Sequence, residues 1–182
     1  MLPQTDSQPA IDSVSKGAMQ TGRQGALRLD RCRLSTKSLE IDAPPRTVFG
    51  FHEREDALPL LTPAFPPVRL ISKTPGIEAG TRVVLRVGPF RWVALHTAYE
   101  RNRFFVDEQV EGPFARWVHR HEFEDLGERT RLTDTVDYQL PGGRILNALF
   151  GWAANVGLQR MFTHRHAVTK RICEAASGPP HK

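Results

Sequence analysis

The stretch formed by residues 107–141 constrains the fold more than any other part of this chain, because its side chains alternate with a period of two. Glycine-containing breaks divide it and its surroundings into three segments, residues 104–111, 115–125 and 129–140. Successive side chains of a strand point to opposite faces of a sheet. The pattern therefore predicts three consecutive antiparallel strands joined by tight turns.

The turn predicted at Gly127-Glu128 sets the register of the last two of these strands. It places four pairs side by side on one face, namely Phe123 with Leu132, His121 with Asp134, His119 with Val136 and Trp117 with Tyr138. Burying a polar group without a partner costs roughly 1–3 kcal/mol. Two imidazoles and a carboxylate on this face therefore indicate either a cross-strand pair that fixes the register or the wall of a ligand pocket.

Composition limits the classes of protein to which the chain can belong. Its 182 residues, 40% of them hydrophobic, suffice for one domain with a core. The 25 basic and 20 acidic residues are interspersed, so we infer no nucleic-acid binding despite the net charge of +5. No apolar run approaches the roughly 18 residues of a membrane span, so we expect no stable membrane insertion. Cys32 and Cys173 lack metal-type spacing and favour a reducing, cytoplasmic setting, although a single disulfide stays an open alternative.

The two ends of the sequence differ from its middle. Residues 1–26 are rich in Gln, Ser, Gly and Thr and carry no apolar run typical of a secretory signal, so we expect a disordered tail. Residues 27–176 are expected to form a single domain, and residues 177–182 a frayed end. Met19 remains an alternative start of translation.

Strand and helix signals alternate along the rest of the chain. Residues 27–41 predict a first strand, and Asp42 before two prolines predicts the capped start of a short helix. A second short helix is expected near residues 58–61. Strands follow at residues 68–74, 81–87 and 91–100, separated by Pro-Gly and Gly-Pro turns.

After Gly143 the period changes from two to that of a helix. Large residues recur at spacings of three and four and predict one amphipathic helix of roughly thirty residues. Its stripe consists of Ile145, Leu149, Trp152, Val156, Leu158, Met161, Arg165, Val168 and Ile172.

This element order resembles the START-like, helix-grip superfamily, also called the SRPBCC or birch-pollen-allergen fold. At motif level it is similar to a bacterial branch of ligand-binding SRPBCC-domain proteins, related to polyketide cyclase/dehydrase-like proteins. The motifs are Phe51-His52-Glu53-Arg54, Leu61-Thr62-Pro63, Arg91-Trp92, Asp107-Glu108-Gln109, Gly112-Pro113-Phe114, Trp117-Val118-His119-Arg120-His121, Thr133-Asp134 and Tyr138-Gln139-Leu140-Pro141. The resemblance covers about residues 30–175.

The resemblance implies an α+β helix-grip fold, in which a curved seven-stranded antiparallel sheet wraps around a long C-terminal helix, with two short helices after the first strand. It also implies an elongated cavity between sheet and helix. Such a cavity suits a small apolar ligand. The expected lining residues are Trp117, His119, His121, Asp134, Tyr138, Trp152, Val156 and Met161, although the three helix residues also suit plain core packing.

Two functions from different classes fit this expectation. The first is non-catalytic binding of a small hydrophobic molecule such as a lipid, polyketide or quinone. The alternative is an aromatase/cyclase or dehydratase-like enzyme, in which His121 is the general acid or base, Asp134 orients its ring, and Tyr138 or Arg103 holds an oxyanion. A third hypothesis is an interaction module, since similar domains occur joined to sugar-epimerase-like domains.

No cofactor is predicted for either function. His119 and His121 point to the same side of their strand, and such a pair can bind a metal ion. A third ligand is not evident in the sequence, so no metal site is predicted. His96 is a lone polar residue in an apolar strand, for which a structural role is expected. The oligomeric state stays open.

Overall fold

The computed structural model describes residues 32–64 and 67–178, in which a seven-stranded antiparallel sheet packs against a long C-terminal helix. The strands are β1 Arg33–Ile41, β2 Val68–Lys73, β3 Arg82–Val87, β4 Phe90–Glu100, β5 Phe104–Glu111, β6 Arg116–Asp125 and β7 Thr130–Gln139. The helices are α1 Pro45–Glu53, α2 Ala57–Leu61 and α3 Gly143–Ser177. The helix-grip fold expected from the sequence is confirmed.

The sheet has the order β1-β7-β6-β5-β4-β3-β2. Strands β2 to β7 therefore form a meander in chain order, and β1 closes it by pairing with β7. The pairing register shifts at one place between β2 and β3, at Leu70/Ser72 of β2. It shifts at two places between β4 and β5, at Val93/Ala94 and His96/Ala98 of β4. Bulges of this kind bend a strand and increase its twist, which lets the sheet curve toward α3.

The predicted register of β6 and β7 is confirmed in every pair. Trp117 lies opposite Tyr138, His119 opposite Val136, His121 opposite Asp134 and Phe123 opposite Leu132. Gly127 in the connecting turn has a φ of +83°, a conformation that glycine adopts without steric cost. The turn chemistry and the alternation thus agree, and one face of both strands is buried.

The start of α1 differs from the expectation. Asp42 does not cap the helix: the N-cap is Pro44, and it makes no side-chain capping bond. Instead the Asp42 backbone N–H donates a hydrogen bond to Glu174 Oε1 at 2.9 Å. The two prolines keep the chain extended after Asp42, so its carboxylate lies too early in the chain to reach the first free amides.

An apolar core cluster lies between the sheet, the two short helices and the end of α3. Phe49 is fully buried there and meets Phe123, Tyr99 and Phe105 edge-on, with ring centroids 5.0, 5.6 and 6.2 Å apart. Such edge-to-face pairs add about 0.5–1.5 kcal/mol each beyond the burial of area. The cluster also contains Ile41, Ala43, Val48, Phe51, Ala57, Leu61, Ile77, Leu132 and Cys173.

The helix α3 is longer than predicted and is not buried uniformly. Its second part packs Leu158, Phe162 and Cys173 into the interior. Trp152 and Val156 do not face the interior as the sequence-based expectation required; they are 64% and 42% exposed. The stripe of large residues at helical spacing therefore predicted the helix correctly, while the buried face is set by contacts with the sheet.

The expected tail of residues 1–26 lies outside the described residues, as do residues 179–182. Ser177, expected in the frayed end, belongs to α3. No helix within the described ranges is long and apolar enough to span a membrane.

Candidate functional site

A cluster of carboxylates and imidazoles occupies the inner face of the sheet at its centre. Alternation aims Asp107 of β5, His119 and His121 of β6 and Asp134 of β7 to the same side. The strand register brings them together, because Asp107 lies opposite His119, and His121 lies opposite Asp134. His166 of α3 approaches from above and completes the cluster.

Asp134 is the centre of this cluster, since its carboxylate contacts three imidazoles. Its Oδ1 lies 3.0 Å from His119 Nε2 and 2.6 Å from His121 Nδ1, and its Oδ2 lies 2.5 Å from His166 Nε2. The contacts with His119 and His166 are hydrogen bonds. The contact with His121 is close, but its angles do not meet those of a hydrogen bond. His121 Nδ1 has no hydrogen-bond partner among the described residues.

Asp107 contacts the opposite nitrogens of the two strand histidines. Its Oδ2 lies 3.2 Å from His119 Nδ1 and 3.6 Å from His121 Nε2. Its side chain is 15% exposed, whereas that of Asp134 is 4% exposed. The two imidazoles therefore lie between a carboxylate at the rim of the cluster and a carboxylate at its bottom.

The carboxylates control the protonation of His119. Burial disfavours the charged imidazolium, but attraction to Asp107 and hydrogen bonding to both carboxylates outweigh it and raise the pKa of His119 to about 9. Burial would raise the pKa of Asp134, but the charge of His121 and the imidazole contacts hold it well below its usual value. The pKa of Asp107 is lowered in the same way, mainly by His119. The cluster is therefore charged, not a set of neutral polar groups.

Arg165 of α3 adds a further cation near the cluster. Burial lowers the pKa of its guanidinium, while Asp134 and Asp107 act in the opposite direction. Its Nε has no hydrogen-bond partner among the described residues. The Arg165 side chain is partly buried, and a buried guanidinium nitrogen without a partner is costly, which makes this position an unusual one for plain core packing.

Two more histidines flank the cluster but are tied to the backbone. His52 Nδ1 lies 2.8 Å from the Val48 carbonyl oxygen, and burial together with the charge of His121 lowers the pKa of His52 to about 4. His96 Nδ1 lies 2.6 Å from the Ile77 carbonyl oxygen. Phe105 stacks on His121 with ring centroids 4.0 Å apart. These contacts agree with the structural role expected for His96, and the hydrogen-bond partner of each of the two rings is a backbone carbonyl.

An aromatic cluster lies beside the charged one, near the start of β6 and the end of β7. Trp117 packs edge-on against Trp92 with ring centroids 5.0 Å apart, and Phe114 lies 4.9 Å from Trp117. Trp92 and Phe114 are partly exposed, whereas Tyr138 and Phe162 are fully buried. His119 joins the two clusters, because its ring lies 5.1 Å from that of Phe162.

The structure brings together most of the residues predicted for the site. Trp117, Tyr138 and Met161 belong to or pack on the aromatic cluster, and His119, His121 and Asp134 form the charged cluster. Trp152 and Val156 are not part of either cluster. The Tyr138 hydroxyl donates to the Gly151 carbonyl oxygen at 2.9 Å. Arg103, considered for an oxyanion, is 70% exposed and pairs with Glu100, so it lies away from the histidines.

Sequence reasoning missed Asp107, Arg165 and His166 as members of the cluster. The alternation of β5 places Asp107 on the face of Phe105. The pairing of β5 with β6 ends at Glu108 and Val118, however, and no tight turn in the sequence sets the register of these two strands. His166 follows Phe162 by one helical turn and precedes Thr169 and Cys173 on the same buried face. The recurrence of these four residues at helical spacing was the feature of the sequence that could have placed His166 on the buried face.

A separate groove of about 840 Å³ lies on the other face of β6 and β7 beside the start of α1. Its walls include Arg120, Glu122, Glu124 and Arg131, whose charges pair with one another. Charged walls with satisfied partners are poorly suited to an apolar ligand, so we place the candidate site on the inner face.

A curved sheet gripping a long helix, with aromatic and charged clusters between them, defines a protein of the helix-grip fold. The model of the family described as polyketide cyclase/dehydrase and lipid transport matches residues 41–164, and the chain belongs to this family. Both parts of that description concern hydrophobic molecules.

Solved structures support the same fold. The Thermus thermophilus protein TTHA0849 is 19% identical with a TM-score of 0.62 over 80% of this chain and 100% of that chain. Norcoclaurine synthase from Thalictrum flavum, solved with dopamine and hydroxybenzaldehyde, is 15% identical with a TM-score of 0.59 over 88% and 98%. A nucleoside-diphosphate sugar epimerase from Corynebacterium glutamicum is 27% identical with a TM-score of 0.59, over 75% of this chain and 28% of that chain. A search of curated proteins gave no match.

Proposed function

We propose that the protein binds a small hydrophobic ligand, of lipid, polyketide or quinone type, on the inner face of the sheet beneath α3. The observation that carries this proposal is the aromatic cluster, in which partly exposed Trp92 and Phe114 lead to buried Trp117 and Tyr138. Aromatic walls beside a few fixed polar groups are typical of sites for small apolar molecules. The family description, which includes lipid transport, supports the same class of ligand.

The charged cluster gives such a ligand an orientation. Asp107 lies at the rim of the cluster, and His119 links it to Phe162 of the aromatic cluster. A ligand with one polar end would place that end toward the imidazoles and its apolar part against Trp117. Binding thus requires the helix α3 to move or the aromatic rings to rotate, since the inner face is closely packed at Tyr138 and Phe162.

The first test measures binding of the fluorescent probe 1-anilinonaphthalene-8-sulfonate, together with native mass spectrometry of protein exposed to cell extract. Trp117→Phe is expected to weaken the affinity for the probe roughly tenfold, because it removes part of the aromatic wall. Ile71→Ala is the matched control, since Ile71 is 53% exposed on the edge strand β2. Equal affinities for the two variants, with no extract component retained, would argue against the proposal.

The alternative function is a cyclase or dehydratase-like reaction on a polyketide-type substrate, and the His121–Asp134 contact favours it. In that reaction His121 would transfer a proton and Asp134 would hold its ring, as a carboxylate does for a catalytic imidazole. Several relatives in structure are enzymes or parts of enzymes by their names, including norcoclaurine synthase.

His121→Phe separates the two functions. Removal of a general acid or base typically lowers the rate on the order of 10²- to 10⁴-fold while binding survives. If the protein is only a carrier, the substitution keeps or strengthens the affinity for an apolar ligand. Turnover of an extract component by the wild type that collapses in this variant would establish the enzyme instead.

The third hypothesis, an interaction module beside an epimerase-like partner, is supported by the similarity to 28% of the Corynebacterium glutamicum epimerase. This similarity shows a related domain joined to a larger chain. A pull-down with a purified epimerase-like protein tests it, and retention of that partner at a 1:1 ratio is the expected result.

A further inference from the structure

Three donor atoms of the charged cluster have the spacing of a metal-ligand set. Asp107, His119 and His121 each place one donor atom within 4.8 Å of the other two. The contacting atoms are Asp107 Oδ2, His119 Nδ1 and His121 Nε2. The oxygen lies 3.2 Å from the first nitrogen and 3.6 Å from the second. Donor atoms about 2.0–2.1 Å from a tetrahedral ion lie about 3.4 Å apart. The two oxygen–nitrogen distances fall on either side of that value.

We propose that Asp107, His119 and His121 bind a divalent first-row transition-metal ion. Two imidazoles and one carboxylate are ligands that Zn²⁺ and Fe²⁺ accept, and a set of three leaves at least one coordination position open. All three side chains project from paired strands, because Asp107 is the cross-strand partner of His119 and His121 follows two residues later on the same face. Their relative positions are therefore set by the sheet.

The contacts behind the imidazoles strengthen this assignment. Ligating histidines commonly donate their second ring N–H to a carboxylate, which fixes the tautomer and the ring orientation. Asp134 Oδ1 lies 3.0 Å from His119 Nε2 and 2.6 Å from His121 Nδ1. One carboxylate thus faces the rear nitrogens of both rings, and the nitrogens that face Asp107 are left to act as donors.

The carboxylate behind the rings is itself held in place. His166 Nε2 contacts Asp134 Oδ2 at 2.5 Å, and this contact connects the candidate ligands to α3. Phe105 covers the His121 ring by stacking at 4.0 Å. The guanidinium of Arg165 opposes the binding of a cation, because its positive charge already interacts with Asp107 and Asp134. A bound ion would therefore have to take the place of the proton on His119, after which two carboxylates face the ion and one guanidinium.

Metal binding at the charged cluster does not require the hydrophobic ligand. It is expected whether or not an apolar molecule binds beside Trp117. Its closest competitor is a purely structural network, in which a proton held between His119 and the carboxylates takes the place of the ion. The two assignments differ in one measurable respect, since only the first predicts stoichiometric metal binding.

The experiment removes metals with a chelator and then titrates the full chain with Zn²⁺ or Co²⁺, following heat and the visible absorption of Co²⁺. One ion per chain is expected, and saturating Zn²⁺ is expected to raise the melting temperature. Asp107→Asn should weaken affinity on the order of 100-fold, and Asp134→Asn by about 10- to 100-fold. The wild-type titration alone overturns the proposal if it shows no binding and no thermal shift, even where a variant fails to fold.

Two matched controls identify the bound site. Asp137→Asn changes a carboxylate of β7 that pairs with Arg116 on the outer face, and it should leave affinity unchanged. His164→Ala removes an exposed histidine of α3 and should also leave it unchanged. Loss of metal binding in His164→Ala, with binding retained in Asp107→Asn, would assign the ion to the surface and overturn the proposal.

Discussion

The two halves of α3 carry large apolar side chains at similar helical spacings, but they use them differently. Residues 158–177 bury Leu158, Phe162, His166, Thr169 and Cys173 against the sheet and the short helices. Residues 143–157 expose Ile145, Leu149, Phe150, Trp152 and Val156, each by 42% or more. The first half is instead attached through hydrogen bonds, from the Tyr138 hydroxyl to the Gly151 carbonyl oxygen and from Arg33 Nε to the Asn147 carbonyl oxygen.

This difference shows that apolar periodicity and burial are separate properties. Apolar residues at spacings of three and four indicate a helix, but the neighbouring elements determine which of these side chains are buried. In this chain the second half lies over the clusters of the inner face, whereas the first half presents apolar side chains to solvent. The first half is therefore the part of α3 whose displacement costs the least burial, and it is where the proposed ligand binding would open the interior.

The largest expected effect is that of Phe162→Ala, which tests the contribution of the second half. Phe162 is fully buried, and truncation of such a side chain typically costs about 3–5 kcal/mol of unfolding free energy. Phe150→Ala is the matched change in the first half, where the side chain is 56% exposed, and it should stay within about 0.5 kcal/mol. Denaturant unfolding measures both, and similar losses would contradict the comparison.

A pH series tests the charged cluster under the second half. The folded-state pKa of His119 is raised to about 9 from 6.5, so its stabilising contribution is complete below pH 6.5 and is lost as the pH rises toward 9. The unfolding free energy of the metal-free protein should fall by roughly 2.5 kcal/mol across that range. His119→Gln should lack this fall. A wild-type stability that stays constant from pH 6.5 to 9 would show that His119 is not held in its charged form.

A pair of histidine substitutions sharpens the comparison within the second half. His166→Phe removes the contact with Asp134 and should cost about 1.5–3 kcal/mol, the range for hydrogen bonds to charged groups. His164 is exposed and lies two residues earlier in α3, so it provides the control. His164→Phe should change stability by less than about 0.5 kcal/mol. Thermal unfolding of both variants provides the measurement. An equal response at the two positions would mean that the contact with Asp134 contributes nothing.

The smallest expected effect concerns the attachment of the first half. Tyr138→Phe removes the hydroxyl that donates to Gly151 and should cost about 0.5–1.5 kcal/mol. Amide hydrogen exchange should become faster in residues 143–157 and stay unchanged in residues 158–177. Faster exchange along the whole helix would show that the two halves open together.

Local chemistry made much of the inner face predictable. The β6–β7 register follows from alternation and from a turn with glycine at positive φ, so the pairing of His121 with Asp134 is readable from the chain. Asp107 was not assigned to the site, because β5 and β6 stop pairing at Glu108 and Val118, and the irregular stretch between these residues leaves the partner of Asp107 open. The assignment of Asp42 as a helix cap was wrong, because the two following prolines move the helix start beyond its reach.

The sequence by itself determined the order of the elements, the meander, the long helix and the face of β6 that carries the imidazoles. These depend on periods of two and 3.6 and on turn residues, which are local. Only the tertiary structure decided which side of α3 is buried and which groups meet His119. Rotating a helix about its axis leaves its periodicity unchanged, so no local rule selects Phe162 and His166 over Trp152 and Val156 for the interior. That choice depends on the curved surface beneath α3, which exists only after strands far apart in sequence have paired.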